Sequence, residues 1–356
     1  MKTISYWLAV LALEFVAISL AYGADRKYTL TLIDAEMWGP VDINDKGAVL
    51  IERQLVEFAS PAPLVINKKD KETRPFECPG TTNDTDGEGL NNRGEIVGHC
   101  GHQPGFTVVG FVANPKSGSV TFVSFPGALT TWAFGINDLD QVVGYYENPI
   151  TGPICCFLPP RHIHGFVWDK MSGEYKTIDH PFSVETGWPT ILTGINNKGQ
   201  IIGYHYDERY VSFGTYYFIY DNGTFTPVRH PQAWDDSTTY VYGFNNLSQI
   251  FGAYSGPGCS GCLFFWDGVE YFDVKLPLPD NAPYPKDMSV WPASAFNFAG
   301  LNDSGQFVGT YFRILDWGPD PFHPGEFGPT ETEIGNFVAT PQKVKKPGKG
   351  KTKLVN

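Results

Sequence analysis

The chain of 356 residues contains 42% hydrophobic and 15% aromatic residues, with 39 glycines and 28 prolines. Glycine and proline at this frequency interrupt helices, and no helical period is sustained after residue 25, so a helical bundle is excluded and many short strands are predicted. The net charge is −12, or −18 without the six lysines of residues 343–356. A body this acidic repels phosphate groups, which argues against nucleic acid and anionic lipid as partners.

The N-terminal segment has the pattern of a secretory signal. Lys2 is followed by a mostly apolar run over residues 7–20 and by the small-x-small sequence Ala21-Tyr22-Gly23, the order found in a signal peptide and its cleavage site. The alternative is an uncleaved membrane anchor, for which the run is short. We predict that residues 1–23 are a signal peptide, that the protein is secreted, either extracellular or periplasmic, and that no segment spans a membrane after cleavage.

An even number of cysteines in an exported protein predicts disulfides. The candidates are Cys78, Cys100, Cys155, Cys156, Cys259 and Cys262. Cys259 and Cys262 would close a local loop. Cys78 with Cys100 is a plausible cross-link. The adjacent Cys155 and Cys156 could pair with each other, and the sequence alone leaves the connectivity open.

One short pattern, Gly-apolar-Asn-Asn/Asp-x-Gly-Gln-apolar-apolar-Gly, recurs six times with small variations. Its first asparagine is residue 44, 91, 137, 196, 245 and 302. The resulting spacings of 47, 46, 59, 49 and 57 residues are typical of propeller blades and exceed those of leucine-rich or ankyrin repeats. The repeat therefore predicts an all-β, six-bladed β-propeller.

The pattern has the chemistry of a tight turn between two strands. An Asx side chain begins a type I turn, and the glycine takes the left-handed position. Asp140 and Ser248 replace that glycine in two copies, and we expect Ser248 to be the most strained copy. The strand after the turn is apolar at successive positions, as at Ile201 and Ile202, which predicts burial on both faces between neighbouring blades.

Further strands complete each blade, and we name its four antiparallel strands A to D in chain order. Predicted C–D pairs are residues 164–169 with 175–179, 216–220 with 224–228, and 263–266 with 271–274. Asn222-Gly223 and Asp267-Gly268 are strong hairpin signals. The orphan strand 28–34 reads like a D strand, so we predict that it pairs with residues 336–340 and closes the ring.

This organisation predicts one propeller domain over residues 24–342 and a monomer. The lysine-rich segment 343–356 that follows is too polar to fold and is expected to be disordered.

The repeat resembles a known family. The segment Gly194-Ile-Asn-Asn-Lys-Gly-Gln-Ile-Ile-Gly203, the motifs His164-Gly-Phe and Thr177-Ile-Asp, and the link Phe125-Pro-Gly-Ala128 are similar to the HAF repeat of bacterial extracellular proteins. The likeness covers nearly all of residues 28–342, and copies one and six depart most from it. The resemblance implies a β-propeller-like repeat and no particular reaction, because the family is not tied to one.

Short turns and long loops should lie on opposite faces of the propeller. The A–B and C–D turns are short, and the long B–C and D–A segments are residues 147–162, 254–262, 313–334, 180–191, 230–239 and 276–295. We expect these to form one loop face, where binding groups usually sit.

Tryptophans recur in the D–A links, shortly before five copies of the repeat. They are the predicted ligand-binding residues: Trp38, Trp132, Trp188, Trp234 and Trp291. They could form an aromatic collar around the channel mouth, suited to stacking on sugar rings. The alternative is that each packs between blades as core.

The remaining motifs indicate no metal and no cofactor. Residues 83–88 resemble part of a calcium loop but lack its first acid and its distal glutamate, so an EF-hand is excluded and an acidic turn is preferred. His162 and His164 alternate on one strand, which permits joint metal ligation, but His164 belongs to the repeat and a structural role is favoured. No second Cys-x-x-Cys, Gly-x-Ser-x-Gly or phosphate-binding loop occurs.

Two function classes remain. The first is a binding or interaction module that recognises an extracellular glycan, an envelope component or a protein through its loop face. The alternative is an extracellular polysaccharide hydrolase or lyase that uses loop-face histidines and carboxylates such as Glu185, Asp207, Glu208, Asp235 and Asp236. We favour the first, because no catalytic constellation is recognisable. A tight cluster of perturbed carboxylates or histidines in the channel mouth would favour the enzyme, and exposed aromatics without one would favour the binder.

Overall fold

The computed structural model describes residues 25–33, 39–54, 61–67, 71–79, 85–102, 107–149, 162–207, 214–277, 296–319 and 327–342. These residues form an all-β, propeller-like ring of antiparallel sheets around a central channel. Several predicted features lie outside the described residues: the signal segment, Trp38, Trp291, the Cys155–Cys156 pair and the lysine-rich tail.

Strand β1 spans Arg26–Ile33. Four sheets of four strands follow it, and in each sheet the strands A to D lie side by side in chain order. Their bounds are β2 (Gly39–Ile43), β3 (Val49–Gln54), β4 (Pro61–Asn67) and β5 (Lys71–Glu72); β6 (Thr85–Leu90), β7 (Ile96–His102), β8 (Thr107–Asn114) and β9 (Ser119–Val123); β10 (Thr130–Ile136), β11 (Gln141–Glu147), β12 (Ile163–Asp169) and β13 (Tyr175–Thr177); and β14 (Thr190–Ile195), β15 (Ile201–Asp207), β16 (Gly214–Asp221) and β17 (Thr224–Pro227).

A fifth sheet has eight strands in the order β18-β19-β20-β21-β1-β24-β23-β22. Its further bounds are β18 (Thr239–Phe244), β19 (Ile250–Gly256), β20 (Cys259–Trp266), β21 (Tyr271–Lys275), β22 (Phe296–Ala299), β23 (Phe307–Pro319) and β24 (Phe327–Pro341). Strand β1 pairs antiparallel with β24 from Tyr28 opposite Pro341 to Ile33 opposite Asn336. It joins β21 through two parallel pairs, at Arg26 and Lys27. The predicted pairing of residues 28–34 with 336–340 is therefore confirmed.

Short helical turns lie in two of the links between sheets. Helix α1 spans Pro181–Thr186, and a 3₁₀ helix spans Asp236–Thr238. Both lie within D–A segments that were predicted to be long loops. Each covers only part of its segment, so the prediction of a loop stands.

Two other predicted loops are wrong. In residues 254–262, β19 and β20 stay paired up to Gly256 opposite Cys259, which leaves a tight hairpin. In residues 313–334, β23 and β24 stay paired as far as Pro319 opposite Phe327. The physical reason is the same in both: continued pairing satisfies backbone groups that a loop would leave to solvent.

The first asparagines of the repeats form a closed ring at one end of the channel. Each side-chain amide donates a hydrogen bond of 3.0–3.5 Å to the backbone oxygen of the same asparagine in the next copy, in the order Asn44, Asn91, Asn137, Asn196, Asn245, Asn302 and back to Asn44. The Oδ1 atom of each asparagine also accepts backbone N–H groups of its own turn, as Asn196 does from Lys198 and Gln200 at 3.0 Å. One buried side chain therefore both shapes its own turn and ties it to the next.

A second ring runs through the residue after each of these asparagines. Its backbone N–H donates to the Oδ1 atom of its counterpart in the next copy, at 2.7–2.8 Å, in the order Asp45, Asn92, Asp138, Asn197, Asn246, Asp303 and back to Asp45. We call these six residues with the six asparagines the Asx ring.

The turns have the predicted left-handed residue. Gly199 has a φ of 78°, and Asp140 and Ser248, which replace glycine, both have a φ of 65°. The Ser248 hydroxyl donates to Oε1 of Gln200 at 2.6 Å. Glycine has no side chain to make this contact. The hydrogen bond offsets part of the strain of a serine in the left-handed conformation.

The predicted burial of the B strands on both faces is confirmed. Val142 packs with Val97 and Val112 of the preceding sheet. Its neighbour Val143 packs with Leu192 and Ile201 of the following sheet. Adjacent side chains point to opposite faces of a strand, so successive apolar residues are needed wherever a sheet lies between two others.

A residue followed by proline anchors four of the D–A links. These residues are Cys78, Phe125, His180 and His230, and the backbone N–H of each donates at 2.9–3.0 Å to a threonine hydroxyl at the start of the next A strand. Three of their rings stack on the B strand of the next sheet: Phe125 on Tyr146, His180 on His205 and His230 on Tyr254, at 3.6, 4.3 and 3.6 Å between ring centroids.

In the fourth link, a disulfide between Cys78 and Cys100 occupies the place of the stacked rings. The local disulfide between Cys259 and Cys262 is also present. Both of these predicted pairings are confirmed.

Replacing one asparagine of the Asx ring should destabilise the whole ring. Asn196→Ala removes the hydrogen bond from the side-chain amide of Asn196 to the backbone oxygen of Asn245. It also leaves two backbone N–H groups of the turn without their acceptor. We expect the free energy of unfolding to fall by about 2–4 kcal/mol, measured by urea denaturation. Asn148→Ala, at a half-buried asparagine outside the turns, is the control, and an equal loss in both variants would contradict a special role for the ring.

The two disulfides should differ in their contribution. Cys78 and Cys100 are 22 residues apart, whereas Cys259 and Cys262 are three apart. Because a longer closed loop restricts the unfolded chain more, the double variant Cys78→Ala/Cys100→Ala should lose about 3 kcal/mol of unfolding free energy and Cys259→Ala/Cys262→Ala about half of that. Thermal and urea unfolding of both variants measures the difference, and the reverse order would contradict it.

Candidate functional site

Alternate residues of the A strands face the channel. Each A strand ends at the Asx ring, so its earlier residues lie toward the loop face. On β6 the half-buried residues between buried ones are Asp86 and Glu88. On β10 the corresponding positions, counted from the asparagine, hold Trp132 and Phe134. The wall of the channel is therefore acidic at one sheet and aromatic at the next.

Two B-strand residues join the acids of β6. His99 of β7 lies between them, with Nε2 at 3.1 Å from Oδ2 of Asp86 and Nδ1 at 3.5 Å from Oε1 of Glu88. Glu52 of β3 accepts the backbone N–H of Gly87 at 3.1 Å. We call Glu52, Asp86, Glu88 and His99 the acidic cluster. The side chain of His99 is 8% exposed, whereas Asp86 and Glu88 are 34% and 29% exposed and reach solvent.

Burial and mutual repulsion perturb the carboxyls of this cluster. The pKa of Glu52 is raised to about 7, chiefly by burial and also by the charge of Asp86, against the lowering effect of the hydrogen bond from Gly87. The pKa of Glu88 is raised to about 8, chiefly by burial and also by the charges of Glu52 and Asp86. Near neutral pH both groups therefore stand between the protonated and the charged form, as groups that exchange protons in active sites do.

A group of tyrosines continues the wall from the acidic cluster. We call it the tyrosine arc, and its members are Tyr145, Tyr204, Tyr206, Tyr217, Tyr240 and Tyr242. Trp132 connects the two groups, since its ring lies 4.1 Å from that of His99 and 5.7 Å from that of Tyr145. Further along, the ring of Tyr204 lies 5.3 Å from that of Tyr206 and 5.4 Å from that of Tyr217.

Several phenols of the arc have raised pKa values, which keeps them neutral hydrogen-bonding groups. Burial raises the pKa of Tyr145, and the charges of Glu147 and Glu88 raise it further. Burial also raises the pKa values of Tyr204 and Tyr217. Tyr240 is 41% exposed, so the arc presents aromatic surface to solvent.

A cavity of about 230 Å³ occupies the channel between the Asx ring and the level of Glu88 and Tyr242. Its lining includes the carboxylates of Asp42, Asp45, Glu88 and Asp138 and contains no lysine or arginine among the described residues. Burial raises the pKa of Asp42 to about 7, although its carboxylate accepts the N–H groups of Leu90 and Ile43.

The described tryptophans among the predicted binding residues lie in different places. Trp132 is part of the channel wall. Trp188 lines a separate cavity of about 190 Å³ with His164 and Asp179, whose Nδ1 and Oδ2 atoms are 2.8 Å apart. Trp234 is 62% exposed. Ligand binding by the predicted tryptophans, Trp38 and Trp291 included, stays a prediction.

The carboxylates proposed from sequence for a catalytic pair lie elsewhere. Asp235 caps the 3₁₀ helix, Asp236 pairs with Arg229 at 3.1 Å, and Glu185 is exposed on α1. Asp207 is buried at the end of β15, and Glu208 lies outside the described residues.

Sequence reasoning missed the acidic cluster because residues 83–88 were expected to form an acidic turn, whereas residues from Thr85 belong to β6. The sequence signal that could have identified these acids is their position relative to the repeat. Asp86 and Glu88 stand five and three residues before Asn91, on an A strand that lines the channel.

Comparisons with known proteins identify only distant structural neighbours. No protein-family model matches the chain, and no curated protein matches it either. The β-propeller domain of the Trilobed protease from Pyrococcus furiosus is 13% identical over 83% of this chain and 84% of that one, with a TM-score of 0.45. A gluconolactonase from Xanthomonas campestris is 9% identical over 88% and 90%, with a TM-score of 0.44. The polysaccharide lyase Uly1 is 8% identical over 88% and 77%, also with a TM-score of 0.44.

The described residues contain no group of three or more histidine, cysteine, aspartate or glutamate side chains arranged to hold a metal ion. None of their helices has the length and hydrophobicity needed to cross a membrane.

Glu88→Gln should change how stability depends on pH. The pKa of Glu88 rises from an ordinary 4.5 to about 8 in the folded protein, so the folded state holds this proton more tightly and loses stability as pH rises from about 4.5 to 8. The variant lacks this loss. Relative to the wild type, it should gain about 1–2 kcal/mol of unfolding free energy between pH 5 and pH 8, allowing for solvent screening.

Urea denaturation at both pH values measures this gain, with Glu185→Gln on the exposed face of α1 as the control. A pH dependence identical in wild type and Glu88→Gln would contradict the burial of a protonated carboxyl at this position.

Proposed function

We propose that the protein is a secreted glycan-binding β-propeller and that its binding surface is the channel mouth on the loop face. The observation that carries this proposal is the continuous wall formed by the acidic cluster, Trp132 and the tyrosine arc. Aromatic rings with a polar edge offer an apolar face and a hydrogen-bonding group together, and carboxylates accept strong hydrogen bonds from hydroxyls. A sugar ring presents both complementary features, an apolar face and a rim of hydroxyls.

The proposal includes a count of six blades. The eight-stranded sheet is read as two blades, β18 to β21 and β22 to β24 with β1, because β1 and β21 share only two parallel residue pairs. The six links of the Asx ring support this count. Membership of the HAF-repeat family is also a proposal, supported by the repeat sequence. The two disulfides are compatible with export to an oxidising compartment.

A second candidate is cleavage of the bound glycan. It is favoured by the raised pKa values of Glu52 and Glu88 beside His99, since a carboxyl that is protonated near neutral pH can act as a general acid. Under the criterion given above, the perturbed cluster in the mouth counts toward an enzyme. Exposed aromatics would favour the binder only without such a cluster, so they do not decide between the two candidates, and the assay for new reducing ends does.

A binding and release screen tests both candidates. The mature protein is mixed with a panel of extracellular polysaccharides, while tryptophan fluorescence and new reducing ends are followed together. Tyr240→Ala removes an exposed ring of the arc and should weaken binding about tenfold, as for a residue that contributes directly to an interface. Trp234→Ala, at an exposed predicted tryptophan in the preceding link, distinguishes the predicted tryptophans from the arc. Met171→Ala, in an exposed C–D turn, is the control and should bind within about twofold of the wild type.

The outcomes separate the possibilities. Binding without new reducing ends supports the binding module, whereas release that Glu88→Gln abolishes supports the enzyme. Weaker binding in Trp234→Ala but not in Tyr240→Ala would place the site on the predicted tryptophans instead. No response to any polysaccharide in either channel would overturn the proposal.

A further inference from the structure

We propose that the channel recognises a cationic group, the ammonium of an amino sugar in the glycan. This inference rests on the proposed function and names its ligand class. Its starting point is the juxtaposition of the acidic cluster with the aromatic wall of the channel.

The charges around the channel are unbalanced. The cavity lining holds four carboxylates and, among the described residues, no lysine or arginine. Near the A–B and C–D turns, by contrast, carboxylates have basic partners. Glu95 pairs with Lys170 at 2.8 Å, and Asp140 pairs with Arg93 at 2.6 Å.

Of the four carboxylates in the cavity lining, Asp138 interacts with Arg93. The charges that shift the pKa values of Asp42 and Glu88 are, by contrast, those of other acids. Carboxylates gathered in this way raise the free energy of the site and lower the cost of admitting a cation.

His99 supplies an observation independent of the acids. Its side chain is 8% exposed, and Nε2 pairs with Asp86. Nδ1 makes no hydrogen bond with the described residues, although it faces Oε1 of Glu88 at 3.5 Å. When Nε2 donates, Nδ1 of a neutral ring is an acceptor. When Glu88 is in its charged form, Nδ1 and Oε1 both accept, and one donor group with several hydrogens, such as an ammonium, satisfies both.

The aromatic wall favours the same class of ligand. The faces of tryptophan and tyrosine rings attract cations within about 6 Å of the ring centroid. Trp132 lies against His99, and Tyr145 lies close enough to Glu88 for the two to interact electrostatically. A cation held by the carboxylates would therefore also lie near aromatic rings.

The size of the cavity limits what enters it. A volume of about 230 Å³ is below the roughly 300–1,000 Å³ of pockets that enclose drug-sized ligands. Glu88 is the member of the acidic cluster that lines this cavity. The part of the channel beside Glu88 therefore admits one small group, and the rest of a chain would lie across the mouth and the tyrosine arc.

Glucosamine oligomers and N-acetylglucosamine oligomers of equal length test the inference by calorimetric titration. The two kinds of oligomer differ in the positive charge on the amino nitrogen, which acetylation removes. We expect the free amine to bind at least about tenfold more tightly, as for one charge-assisted contact. Glu52→Gln and Glu88→Gln keep the side-chain shape and should each reduce this preference about tenfold, while Glu185→Gln on α1 should leave it within about twofold.

Tetramethylammonium chloride is the second probe, because it is a permanent cation without a sugar. It has no N–H groups, so it tests the charge and the aromatic rings apart from the hydrogen bonds to His99 and Glu88. It should compete with the glucosamine oligomer for the wild-type protein, and its affinity should rise between pH 6 and pH 9. In this range Glu52 and Glu88 lose their protons. The other groups facing Glu88 are Asp86, His99 and Tyr145.

The outcomes distinguish this inference from the proposed function. Equal binding of both oligomers would overturn the cationic ligand and leave glycan binding intact. Binding of tetramethylammonium without either oligomer would support the cation site and overturn the glycan, in which case a protein lysine is the next probe. An unchanged preference in both glutamine variants, or no binding of any probe, would overturn the inference.

Discussion

The hydrogen bond from each asparagine amide to the next copy of the same asparagine is the interaction on which the structure depends. It is directional and nearly identical at every step, and it returns from Asn302 to Asn44 across 258 residues of sequence. The donor and acceptor are buried, so each unmade bond would carry a desolvation cost. The Asx ring therefore fixes how the A strands are arranged around the axis, and the apolar B strands fill the space between sheets.

The arrangement of the A strands brings distant residues to one wall. Glu52 and Asp86 lie on different sheets, as do His99 and Trp132, yet each pair meets at the channel mouth. The Asx ring holds one end of each A strand, and the side chains at the other end differ from one sheet to the next. Charge follows this division in part. Glu95 in an A–B turn pairs with Lys170, whereas the cavity lining contains no lysine or arginine among the described residues, although Arg93 interacts with one of its carboxylates, Asp138.

Several features were predictable because they depend on near neighbours in sequence. The asparagine turns, the left-handed Asp140 and Ser248, and the local Cys259–Cys262 disulfide follow from short motifs. The pairing of β1 with β24 followed from an orphan strand at each end of the chain. The hairpins over residues 254–262 and 313–334 were mistaken for loops, because the continuation of strand pairing depends on backbone bonds that composition does not encode.

The sequence by itself determined the repeat, the all-β class and the closure of the ring, since each is written in a recurring local pattern. Only the tertiary structure decided which residues form the candidate site. Asp86 and Glu88 look like part of an acidic turn until β6 is placed against the channel, and Glu52 is 34 residues away from Asp86 along the chain. Their raised pKa values arise from burial and from each other's charge, and both causes exist only once the sheets are packed side by side.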